Sequence, residues 1–160
     1  MSSALQHEIR QTKPFASLEH EASLSIERTA SALRHALAEA LREFDLTPAQ
    51  LNVLRILRGA GEGGLCRHEV GDRLIAQVPD VTRLLDRMEE AGLVTRTRSE
   101  EDRRMVRSRI TAAGLALLAR IDAPLEALHA RQLGHMSEEQ LRTLVELLAL
   151  ARRTACQGKG

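Results

Sequence analysis

Between Ser17 and Phe44 the apolar residues Ile26, Ala30, Leu33, Leu37, Leu41 and Phe44 return every three or four positions with polar residues between them. That period puts them on one stripe of a long amphipathic helix. Asp45 and Leu46 interrupt the stripe. Thr47-Pro48-Ala49-Gln50 then joins an S/T-x-x-E/Q capping box to a proline at the first helical position, which opens a second helix to about Arg58 with Leu51, Leu54 and Leu57 inward. The stretch Gly59-Ala60-Gly61-Glu62-Gly63-Gly64 ends it as a connector. No strand precedes it and no Lys-Ser or Lys-Thr follows, so the parts of a phosphate-binding loop are missing. After the apolar pair Leu65-Cys66, residues 68–75 read as a short third helix. Gln77-Val78-Pro79 breaks the chain, and residues 80–91 form a fourth helix stopped by Gly92.

The period then changes. Residues 93–98 and 105–110 alternate β-formers with arginine around the polar stretch Ser99 to Arg104, which predicts a β-hairpin. Alternation suggests one outward arginine ladder, with Arg96 and Arg98 on the first strand and Arg107 and Arg109 on the second. Beyond Thr111 a long helix carries Leu115, Leu118, Ile121, Leu125 and Leu128 on one face, and Pro124 inside it is expected to kink it. Ser137-Glu138-Glu139-Gln140 is a second capping box. It opens a last helix through Leu141, Leu144, Val145 and Leu148 to about Cys156.

The chain's 160 residues suffice for one domain with a real core, and leave no room for two catalytic domains. Phe15 and Phe44 are the only aromatic residues, which disfavours single-strand binding by base stacking. Cys66 and Cys156 stand far apart without a CxxC or secreted pattern, so reduced thiols are expected. The N-terminal stretch lacks a signal-peptide core and no apolar run has membrane-spanning length, so a soluble cytoplasmic protein without membrane partners is expected. Net charge is only +1, yet it is unevenly spread: residues 1–46 carry five basic against seven acidic residues, residues 93–110 six arginines against three acids. A local patch, not the total, decides whether a phosphate backbone is attracted.

Short helix, turn, short helix and an arginine-rich hairpin form an order with a direct physical use. The second helix of such a pair fits the major groove of B-DNA, and a hairpin beside it reaches toward the neighbouring minor groove. On these residues the chain resembles the MarR family of bacterial transcription regulators. The resemblance is carried by Leu46-Thr47-Pro48-Ala49-Gln50, by the run Val81 to Val94, by the wing tip Glu101-Asp102-Arg103-Arg104, and by Ile110-Thr111-Ala112-Ala113-Gly114. It implies a mainly α (α+β) winged helix of five to six helices plus a two-stranded β-wing. Residues 1–46 and 111–160 would supply dimerisation helices and residues 47–110 the winged helix-turn-helix.

The resemblance further implies that Thr82 and Arg83 face the major groove and that Arg87, one turn on, reaches phosphate. Arg104 would be the minor-groove arginine of the wing tip, held by an ion pair to Asp102, with Arg103 able to share its role and Arg96 and Arg98 along the wing. Asp80 departs from the family's usual small or hydroxylated residues. It suits the helix dipole, yet opposes nearby phosphate unless it accepts from a cytosine amino group. A palindromic operator requires two copies about one turn apart, roughly 34–36 Å, so a homodimer and double-stranded DNA are the expected partners.

The family also implies a small acidic or phenolic effector, for which Arg34, His35 and Arg55 are candidate polar anchors. A thiol sensor at Cys66, which precedes a helix, is an alternative; a protein-interaction module on the same fold is another. No cofactor is implied. Cys66, His68, His129 and His135 lack the i, i+4 spacing of a helical metal site, and no nucleophile elbow or zincin motif points to an enzyme.

Overall fold

The computed structural model describes residues 3–99, 102 and 104–155, with side chains as far as Arg153. The elements are α1 (Ala4–Glu8), α2 (Leu18–Leu41), a 3-10 turn (Arg42–Phe44), α3 (Pro48–Ala60), a second 3-10 turn (Gly61–Gly63), β1 (Leu65–Cys66), α4 (Arg67–Arg73), α5 (Val81–Glu90), β2 (Val94–Arg98), β3 (Val106–Ile110), α6 (Ala112–Leu133) and α7 (Glu138–Ala155). This is the α+β winged-helix order read from the sequence, with two additions. The five-residue α1 precedes the first long helix, its Leu5 buried and its Glu8 paired at 3.0 Å with Arg28 of α2. The sheet has three strands rather than two, in the order β1-β3-β2. Leu65 and Cys66 pair antiparallel with Ser108 and Arg107.

The chain divides inside α6 into two compact units, Met1–Ile121 and Asp122–Gly160. In the first, the inward residues of α3 (Leu51, Val53, Leu54, Leu57), Val70 of α4, Leu85 and Met88 of α5 and Val94 of β2 form the buried core. Each local start is capped. Thr47 and Gln50 exchange both capping-box bonds at 2.9 and 3.2 Å, satisfying N–H groups that the first helical turn leaves without partners. The Glu69 carboxylate accepts the Cys66 N–H at 2.8 Å. That bond, and a weaker attraction to Arg107, hold its carboxyl below the usual range. The contact is therefore lost at a lower pH than an ordinary carboxylate would give.

The end of α5 is set by Gly92, at φ +72°. Its N–H bonds the Glu89 carbonyl at 2.9 Å and the Leu93 N–H bonds that of Met88 at 3.0 Å, a Schellman closure that favours glycine. Thr111 then ties this turn to the next helix. Its Oγ1 donates to the Gly92 carbonyl at 2.7 Å and accepts the Gly114 N–H at 3.1 Å. The helix can approach because Gly114 lacks a Cβ, which would stand 2.6 Å from the Leu93 carbonyl oxygen. Thr111→Ala is expected to lower stability by about 1 kcal/mol through loss of the cap; an unchanged urea midpoint would remove Thr111 from this role.

In the second unit α6 continues through Pro124, and Leu125 and Leu128 are buried. Ser137 and Gln140 form the second capping box, with bonds of 2.9 and 3.2 Å. Val145, Leu147 and Leu150 of α7 are 65%, 58% and 57% exposed. Among the described residues no helix is long and apolar enough to cross a membrane.

Candidate nucleic-acid interface

Leu85 and Met88 anchor the inner face of α5, and Thr82, Arg83 and Arg87 stand exposed on its other side. Asp80 is the N-cap of this helix: its Oδ1 accepts the Arg83 N–H at 2.9 Å. The acid that sequence reading placed against phosphate is thus engaged by the helix's own backbone, where negative charge is favoured. The turn before α5 is fixed from behind, since the Ile75 N–H donates to Asn52 Oδ1 of α3 at 2.8 Å. The position of α5 is therefore set by core packing on one side and a side-chain bond in the turn before it.

The arginines of the hairpin do not form one ladder. Thr97 pairs with Arg107 and Thr95 with Arg109, whereas Arg96 pairs with Ser108 and Arg98 with Val106. Directly paired residues share a face, so Arg96 and Arg98 lie on the side of buried Val94 and Ser108, and Arg107 and Arg109 on the reverse. Arg107 donates to the Gly64 carbonyl at 3.2 Å. Arg109 donates to the Glu62 carbonyl and, at 2.8 Å, to Thr97 Oγ1. These two arginines fasten the glycine-rich connector to the sheet.

Arg96 is a strut between the wing and α5. Its side chain is 23% exposed, and its Nη2 lies 2.6 Å from Asp86 and 2.7 Å from Glu89 of α5. Glu89 also accepts the Arg96 Nε at 2.9 Å and backbone N–H at 3.0 Å. The hydrogen bond to Glu89 above all, and Asp86 with it, hold the guanidinium above its ordinary pKa against the opposing effect of partial burial. Arg96, assigned from sequence to the DNA-contacting set, is engaged by two carboxylates, which the helical spacing of Asp86 and Glu89 presents together.

Arg98 is exposed at the far end of β2. Asp102 and Arg104 are exposed at the wing tip. The Asp102 carboxylate holds Arg104 through its backbone N–H, at 2.9 Å, a turn contact in place of the expected ion pair to the guanidinium. Arg103 lies outside the described residues. A groove of about 410 Å³ runs between wing, α4 and α5, and brings together Cys66, Arg67, His68, Thr82, Arg96 and Arg104.

Of the candidate effector anchors, Arg34 and His35 are exposed on α2 and Arg55 is half-exposed on α3; none of them lines this groove. Cys66 is half-buried and does line it. Sequence reasoning did not assign Arg67 and His68 to this face. Their position at the start of a short helix was visible, but that they border the same groove as Thr82 and Arg104 depends on how α4, α5 and the wing come together.

Two short helices joined by a fixed turn, followed by a two-stranded wing that Arg96 ties to the second helix and β1 extends to a three-stranded sheet, define a winged helix-turn-helix protein. The MarR family profile matches residues 44–105. A crystal structure of a MarR transcription factor from Planctomyces limnophilus is 40% identical, covering 86% of this chain and 99% of that one at a TM-score of 0.66. The chain belongs to the MarR family of transcription regulators. It is also similar to a cysteine-to-serine variant of MarR from E. coli complexed with operator DNA, 25% identical over 93% of this chain and 99% of that one with a TM-score of 0.76. The transcriptional repressor MdtR of Bacillus subtilis is 29% identical over 79% of this chain and 80% of its own length.

Proposed function

We propose that the chain binds a palindromic double-stranded operator as a homodimer, acts as a repressor, and is released by a small acidic or phenolic ligand. The observation that carries this reading is the exposed set Thr82, Arg83 and Arg87 on a capped, core-anchored helix that Arg96 ties to a wing bearing Arg104. Side chains near the start of such a helix meet base edges, those further along meet the backbone, and the wing reaches the adjacent minor groove. In this reading Thr82 and Arg83 read bases, while Arg87, Arg98, Arg103 and Arg104 contact phosphate or minor groove. Asp102 and Arg96 position the wing.

Homodimerisation is assigned to residues 1–46 and 111–160, leaving 47–110 as the reading head. Support comes from the exposed apolar residues Val145, Leu147 and Leu150 on α7, which a partner helix would take out of water. Arg34, His35 and Arg55 remain the proposed effector anchors. A mobility shift on DNA flanking the chain's own gene, repeated with a panel of small aromatic acids and phenols, tests the reading. Retarded complexes that weaken steeply with salt and are released by one of these ligands are expected; DNA left unshifted at low ionic strength overturns it. Arg104→Ala should weaken binding and lower the salt slope by about 1 per reading head; an unchanged slope removes Arg104 from the phosphate-contacting set.

The place of Cys66 in the groove shared with Thr82 and Arg104 favours thiol-based redox sensing as a second reading. An adduct there would enlarge a side chain beneath the DNA-facing surface. Cys66→Ser is then expected to keep DNA binding in the presence of an oxidant that releases the wild-type protein. Equal release of both excludes Cys66 as the sensor.

A further inference from the structure

We propose that Arg67 and His68 form an additional phosphate-contacting pair on the nucleic-acid face, and that His68 makes duplex binding tighten as pH falls. This assignment rests on the reading of the chain as a duplex-binding regulator, and adds to it two residues and a pH response. Both residues line the 410 Å³ groove that contains Thr82 and Arg104. Both also line a cleft of about 230 Å³ between α4 and the start of α5, with Asp72, Pro79, Asp80 and Val81. They are common to the two concavities, and so form the ridge between them, beside the first turn of the recognition helix. The His68 side chain is 85% exposed, and Arg67 is exposed. When the second helix of a helix-turn-helix enters the major groove, the first crosses the phosphate backbone. The ridge on α4 therefore presents a fixed cation and a titratable nitrogen where that backbone passes.

The charges around His68 decide the sign. On its own helix Asp72 lies 3.7 Å from Nε2 and Arg67 is adjacent, while Glu69 is engaged by the Cys66 N–H. Across the cleft stands Asp80, engaged by the Arg83 N–H. Across the groove stand Arg104 and Arg96, the latter engaged by Asp86 and Glu89. The partner of a protonated His68 in the free protein is thus Asp72, itself 69% exposed, and such surface pairs contribute little. A phosphate arriving on the ridge attracts the imidazolium over the neutral ring, so binding takes up a proton and tightens as pH falls.

Fluorescence anisotropy with a labelled mixed-sequence duplex of several helical turns tests this, because phosphate contacts need no particular sequence. Arg67→Ala is expected to lower the salt slope by about 1 per reading head, equivalent to roughly threefold less change in affinity across a fourfold change in salt. The wild-type protein should bind several-fold more tightly at about pH 5.5 than at about pH 8. His68→Ala should lose that gain while matching wild type at the higher pH, and His68→Arg should bind tightly at both, a result that a merely structural role would not give. If wild type binds the duplex but both alanine variants keep its salt slope and pH profile, the assignment is overturned and the regulator reading stands. If wild type ignores duplex DNA at low salt, the regulator reading itself fails.

Discussion

Arg83→Ala is expected to reduce affinity for the operator by about 5- to 150-fold, the equivalent of the roughly 1–3 kcal/mol that one bidentate arginine–guanine contact contributes to discrimination. Binding to mixed-sequence DNA should change far less. The reason lies in how the residue is held: its backbone N–H is fixed by the Asp80 carboxylate at 2.9 Å, and its side chain is exposed in the first turn of α5. Truncation removes the guanidinium and leaves the helix cap intact, so the loss is one of readout rather than of folding. The planar fork of arginine matches guanine O6 and N7 in a way that lysine does not, so Arg83→Lys should recover little of the discrimination. Competition between operator and mixed-sequence duplexes measures the difference. An equal loss on both would move Arg83 from base reading to backbone contact.

Leu85→Ala carries the largest expected effect on stability, about 2–5 kcal/mol, because it combines lost burial with an unfilled cavity. Leu85 is 1% exposed and shares the inner face of α5 with fully buried Met88. The same helix bears Asp86 and Glu89, to which Arg96 attaches the wing. Loosening its inner face therefore disturbs α5 and the wing together. Arg87→Ala, on the exposed side of that helix, is the matched control and should stay within about 0.5 kcal/mol of wild type. Urea unfolding of the two variants checks the pair. A Leu85→Ala loss below that of Arg87→Ala would mean that α5 is not anchored as described.

Elements with a full period or a cap were legible in the sequence. The capping boxes at Thr47–Gln50 and Ser137–Gln140 stand where expected, and Gly92 closes α5. What escaped was short or relational. Two residues cannot display an alternation, so Leu65-Cys66 did not declare itself a strand until β3 lay beside it. The arginines of the hairpin showed the alternation clearly, but alternation leaves open which residues share a face until register is known, and a one-residue slip exchanges the faces. Register places Arg107 opposite Thr97 and Arg96 opposite Ser108, which splits the expected ladder.

The same limit applies to the site. The resemblance placed Thr82 and Arg83 at the start of α5, where both side chains are exposed. The engagement of Arg96 was not legible, since Asp86 and Glu89 are brought to it by the turn at Gly92 and Leu93. Nor was the turn contact of Asp102 with the Arg104 backbone, which the resemblance suggested as an ion pair between side chains. In each case the charge was visible and its partner was set by tertiary geometry. The division of labour that results has a physical logic: Arg96, Arg107 and Arg109 are held by partners within the fold, while Arg83, Arg87 and Arg104 stand exposed.

The most direct test of the proposed regulator is the mass, by sedimentation, of the complex formed with a palindromic duplex taken from DNA beside the chain's own gene. Two chains per duplex, dissociating as salt is raised, is the result expected of paired reading heads on successive turns. Single chains that sediment apart from the duplex at low ionic strength would contradict it.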